Sequence, residues 1–125
     1  MKRLLLTLLL ALPAAQADEA KCLSKILYSE GRGESIEGVI ALGEATKARA
    51  KRSKTAICKI KGVTRKQPPV RLEHYWITLA DSILTDRKKP IVGKADSWNT
   101  GKKPAFKGDV TRRIGRHTFY VMADL

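Results

Sequence analysis

At 125 residues the chain has room for one domain and is too short for a multidomain assembly. Lys and Arg number 25 against 12 Asp and Glu, a net charge of +13, with 43% apolar and 30% charged residues. This balance excludes a collagen-like chain, a cysteine-dense scaffold, a generic disordered segment and a multi-span membrane protein, and it points to a small basic domain with an anionic partner.

The chain opens on an export pattern. Lys2 and Arg3 precede an apolar run from Leu4 to Leu12 that only Thr7 interrupts, Pro13 ends the run, and Ala15-Gln16-Ala17 offers a small-residue cleavage site. The run falls short of the roughly 20 residues that a spanning helix needs. Glu19-Ala20-Lys21 before Cys22 does not fit a lipoprotein signal. Residues 1–17 are therefore expected to be a secretory signal peptide and 18–125 the domain, the alternative for 1–17 being a short buried N-terminal helix. The mature chain is expected in the periplasm or outside the cell, without stable membrane insertion. Cleavage after Ala17 removes 17 of the 125 residues, leaving 108, and removes two cations, lowering the charge from +13 to +11. In an oxidising compartment Cys22 and Cys58 have one possible intramolecular pairing, which closes a loop of about 36 residues. The alternative is two free buried thiols. Two Cys with the distant His74 and His117 lack metal-ligand spacing, so neither a metal nor a cofactor is expected.

The apolar spacing predicts a first helix over 21–30, with Leu23, Ile26, Leu27 and Glu30 on one face, ended by Gly31 and Gly33. Ser35 is the N-cap candidate for a second helix over about 36–52. Its stripe is Ile36, Val39, Ile40 and Gly43, and its basic C-terminal end suits the helix dipole. Residues 55–60 are short and mixed, and 62–71, with Pro68-Pro69, reads as a loop. A third helix is expected over about 72–86 from Trp76, Leu79, Ala80 and Ile83. Residues 91–116 read as mostly irregular, and His117–Met122 as a short strand. The class is α-rich α+β, a single domain with a few short strands and a long loop region towards the C-terminus.

Glu30 stands out, because a carboxylate continues an apolar stripe up to a glycine turn. Loss of hydration disfavours an ionised carboxylate, and a protonated carboxyl is what a general acid in glycosidic cleavage requires. Gly31 and Gly33 offer backbone that a substrate can approach. The structural alternative is an ion pair of Glu30 with Arg32 or Arg49.

The stretch Leu27-Tyr28-Ser29-Glu30-Gly31-Arg32-Gly33-Glu34-Ser35-Ile36-Glu37-Gly38 resembles the signature of the SleB-like cell wall hydrolase family. That pattern runs Tyr-x-Glu-Ala-Arg-Gly-Glu-Ser and then a Gly before an apolar helix. Arg49 is similar to the Arg that ends the family's second helix, and Pro104-x-Phe106 to its Pro-x-Trp element. Ile114-Gly115-Arg116-His117-Thr118-Phe119-Tyr120 resembles its closing Gly-x-His-x-Phe-Tyr motif, and Cys22 and Cys58 resemble the cysteines of secreted members. The chain departs from the family at Ala48, where Asn is usual, and at Ala95-Asp96-Ser97-Trp98-Asn99, where an Ala-Thr-His-Tyr-His type of loop is usual. Gln67 is at most a remnant of a Gln-Phe-Ser-Trp element.

The resemblance implies a small lysozyme-like domain that cleaves the glycan strand of bacterial peptidoglycan, as a lytic transglycosylase or muramidase. Glu30 then serves as general acid and base. Substrate-binding candidates are Tyr28, Arg32, Glu34, Trp98, Asn99, His117 and Tyr120; Trp98 reads as well as core, and Tyr28 and Tyr120 read more readily as core than as sugar platforms. Glu34, Asp96 and Asp109 are candidates for a second carboxylate, although a lytic transglycosylase needs one only. The alternative from another class is a non-catalytic or degenerate basic wall-binding module. Nucleic acid is not an expected partner, since no aromatics interleave with the basic runs, and the chain is expected to be a monomer.

Overall fold

The computed structural model describes residues 2–86 and 88–125, with side chains from Gln16 onward. Three helices come first: α1 (Lys2–Gly31), α2 (Ile36–Ser53) and, after a short 3-10 turn at Ile57–Lys59, α3 (Val70–Thr85). Three strands follow, β1 (Ser97–Thr100), β2 (Gly108–Ile114) and β3 (His117–Met122). They form one antiparallel sheet in the order β1-β3-β2, so the chain is a small α+β domain. No described helix is long and apolar enough to cross a membrane. The expected signal at 1–17 lies almost wholly outside the described side chains.

The α1 stripe is buried as its period predicts, with Leu23, Ile26 and Leu27 fully covered. The helix begins well before the expected residue 21, because nothing between Gln16 and Ala20 breaks it and Ala20 itself is buried. Ser35 caps α2 by accepting the Gly38 N–H at 3.2 Å. At the other end Lys54 adopts the left-handed conformation, and its N–H closes onto the Ala50 and Lys51 carbonyls. The buried face of α2 is Val39, Leu42, Gly43 and Thr46 rather than a stripe starting at Ile36, which is 55% exposed. The helices meet through small residues: a Cβ on Gly43 would lie 2.8 Å from Ile83 of α3.

Helix α3 starts two residues earlier than expected, with Pro69 at its N-cap. Such a position suits proline, whose fixed φ and missing N–H cost nothing at a helix start. The segment before it is extended and fixed along the end of α1. The Lys66 N–H donates to Ser29 Oγ, the Thr64 N–H donates to Glu30 Oε1, and Pro68 is buried. A disulfide joins Cys22 of α1 to Cys58 of the 3-10 turn across 36 residues.

The stretch 91–116, expected to be mostly irregular, contains β1 and β2 as well as turns. Strand β3 is central, and His117, Thr118, Phe119 and Tyr120 are buried in it. Strand β2 is an edge, mostly exposed, with Arg112 and Arg113 and a bulge between Val110 and Arg112. Charges and bulges of this kind discourage edge-to-edge association. The β2–β3 hairpin closes through Gly115-Arg116 with positive φ only at Gly115, the arrangement that calls for Gly first. A β-carbon there would also lie 2.2 Å from Glu34 Oε2.

Candidate active site

Glu30 is the penultimate residue of α1, half-buried, where the helix meets the sheet and the 60–69 segment. Its Oε1 accepts the Thr64 N–H at 3.3 Å, and its Oε2 lies 3.5 Å from the indole Nε1 of Trp98. No ion pair to Arg32 or Arg49 forms among the described residues. Arg32 instead donates to the Tyr28 hydroxyl at 2.8 Å and lies over that ring. Arg49 is buried, and its guanidinium stacks 4.9 Å from the centre of the Trp98 ring. Its Nε donates to the Asp96 carbonyl at 2.9 Å and its Nη1 to the Lys61 carbonyl at 3.5 Å. Burial pushes the Arg49 proton affinity down, although an arginine stays charged. The α2 arginine thus holds a tryptophan whose N–H faces the α1 glutamate.

Beside this group lies a groove of about 620 Å³, walled by Arg49, Lys59, Lys61, Trp98, Asn99 and Phe106 among others, with Tyr120 at its floor. Glu30 is not one of its walls; it adjoins the groove through Trp98 and the backbone of 61–64. Asn99 shapes the rim by accepting the Ala105 N–H and donating to the Lys103 carbonyl, both at 2.7 Å.

Glu34 lies off the helix that carries Glu30. Helix α1 ends at Gly31, a turn returns the Glu34 N–H to the Gly31 carbonyl at 3.0 Å, and Gly33 has φ +86°. Gly31, expected to offer backbone to a substrate, faces the core instead, because a Cβ there would lie 3.0 Å from Leu42. The Glu34 side chain is 5% exposed; Arg116 Nε donates to its Oε1 at 2.9 Å, and His117 Nδ1 lies 3.3 Å from the same oxygen. That nitrogen is not aligned to donate and has no partner. Burial pushes the Glu34 carboxyl up, but the Arg116 hydrogen bond and the charges of His117 and Arg116 bring it below the usual carboxylate value. Burial pushes His117 below the usual imidazole value, against the pull of Glu34 and Glu30.

The other two carboxylate candidates are also placed away from such work. Asp96 is buried, paired with Arg52, and its Oδ1 accepts from Ser97 Oγ and the Met122 N–H at 3.0 Å each. Asp109 is an exposed residue of the edge strand. The predicted substrate residues fall into three groups: Trp98, Asn99 and Tyr120 at the groove; Glu34 and His117 beneath the hairpin; and Tyr28, edge-on to Trp76, with Arg32 over the Tyr28 ring. Sequence reasoning left out Arg49, Lys59, Lys61 and Phe106 as groove walls. Arg49 and Phe106 had as their signal only the resemblance read from the sequence, where Phe106 stands in place of a Trp; Lys59 and Lys61 had only their place in a basic run. Comparison with protein-family models, curated proteins and solved structures returns no match.

Proposed function

We propose that the chain is an exported enzyme that cuts the glycan strand of bacterial peptidoglycan with Glu30 as its single acid and base. The observation that carries this reading is the setting of Glu30. An acidic side chain ends a buried apolar stripe, is held between a backbone N–H and the Trp98 indole, and adjoins the groove of about 620 Å³. The occupied states of Glu34 and Asp96, and the outward position of Asp109, favour a route that needs one carboxylate.

In that route the Glu30 carboxyl protonates the glycosidic oxygen as the bond from the muramoyl C1 to that oxygen breaks. The carboxylate then takes the proton of the same sugar's 6-hydroxyl, whose oxygen bonds to C1 and gives a 1,6-anhydro end. Protons balance, and no water is consumed. The Trp98 N–H and the Thr64 N–H orient the carboxylate for both transfers.

One observation favours a second reading, a non-catalytic wall-binding module: the Trp98 indole stands between Glu30 and the groove. Clearance of permeabilised cells separates the two. Clearance that Glu30→Gln abolishes supports the enzyme. Wall binding without clearance by the wild type supports the module, and clearance undiminished in Glu30→Gln removes Glu30 from the mechanism.

A further inference from the structure

Resting on the glycan-strand reading, we infer that the groove takes strands still bearing their acidic stem peptides, with Lys59, Lys61 and Phe106 as the peptide subsite. The groove walls include three cations and no Asp or Glu. Arg49 is committed to Asp96, Lys61 and Trp98. Lys59 and Lys61 are not: both are exposed, and neither forms an ion pair among the described residues.

Their backbone is nonetheless fixed. Lys59 follows the disulfide-bonded Cys58 and donates its N–H to the Ala56 carbonyl at 2.9 Å, and the Lys61 carbonyl accepts from Arg49. Fixed backbone places two cationic heads at the groove without ordering a loop on binding, which lowers the entropic cost of recognition. Phe106 is 65% exposed on a segment that Asn99 holds through the Ala105 N–H. A neutral sugar backbone has no use for two ammonium groups. A peptide with free carboxylates and small apolar side chains uses both the lysines and the phenyl face.

The general positive charge of the chain attracts any acidic polymer, so the test must separate site from charge. Binding of the protein is measured on intact sacculi, on glycan stripped of its peptides by an amidase, which keeps only the lactyl carboxylate, and on neutral chitin oligosaccharide. The wild type is expected to prefer intact sacculi. Lys59→Gln/Lys61→Gln is expected to weaken that binding roughly five- to tenfold, the scale of two partly exposed ion pairs, and to leave chitin binding unchanged. Phe106→Ala reports the apolar half by the same loss of preference.

Lys88→Gln/Lys89→Gln removes the same charge from exposed residues outside the groove, and is expected to keep the preference. Equal binding to intact and stripped glycan, or an equal loss in both double variants, overturns the subsite. Cleavage is scored in the same samples. Preference without cleavage overturns the enzyme and leaves the subsite standing; cleavage without preference overturns the subsite alone.

Discussion

At Glu34 and His117, burial and charge act in opposite proportions on two neighbouring side chains, and the consequence is a stability that depends on pH. His117 binds its proton less readily in the fold than its ordinary pKa of 6.5 implies, because burial disfavours the imidazolium. Below about pH 6.5 the unfolded chain therefore takes up a proton that the folded chain refuses, and stability falls. Glu34 also sits below its ordinary value of 4.5, so its contribution is complete above that pH and is lost as the pH falls below it. Thermal unfolding followed from pH 8 to 3 should show the two losses in that order. His117→Asn should flatten the first and Glu34→Gln the second; an unchanged profile in both variants contradicts the assignment. Glu30 was legible in the sequence because a carboxylate in an apolar stripe breaks a local pattern. The contacts of Asp96 with Arg49 and Arg52 were not, since they join residues 47 and 44 positions apart and no local period encodes them.

The helices were legible where one face is apolar, and the strands only where both faces are. Strand β3 is covered on both sides over its first four residues and reads as a β-branched and aromatic run. Strand β2 buries only its last residue, Ile114, so it has no alternation to read, and β1 is four residues long. What places β2 is close approach of backbone: a Cβ on Gly108 would lie 2.3 Å from the Val121 carbonyl oxygen and 2.8 Å from the Tyr120 ring. Neither neighbour can move without disturbing the central strand. Gly108→Ala is therefore expected to lower stability by about 2–3 kcal/mol in urea unfolding, the range of an overpacked site. Val110→Ala, two residues on and 44% exposed, should cost less than about 1 kcal/mol. Equal, small losses in both variants count against the close β2–β3 approach.

For the whole molecule, the disulfide and the charge do separate work. The Cys22–Cys58 bond ties α1 to the turn that carries Lys59, and closing 36 residues stabilises a chain of this size by roughly 3–4 kcal/mol on the loop-entropy estimate. Cys22→Ser/Cys58→Ser should lose about that much against the oxidised wild type and match the reduced wild type; no difference means the bond adds nothing to stability. Under the proposed function the positive charge, +13 for the whole chain and +11 after removal of Lys2 and Arg3, is what draws the protein to an acidic wall, and binding to sacculi is then expected to weaken as salt rises. Charge attracts, but the proposed chemistry rests on one side chain. It is tested most directly by digesting purified peptidoglycan with the wild type and with Glu30→Gln and separating the muropeptides by mass spectrometry. The single-glutamate route predicts 1,6-anhydro ends from the wild type and, at a general-acid contribution of about 10²–10⁴-fold, almost none from the variant. Reducing ends from the wild type, or undiminished release by Glu30→Gln, would contradict it.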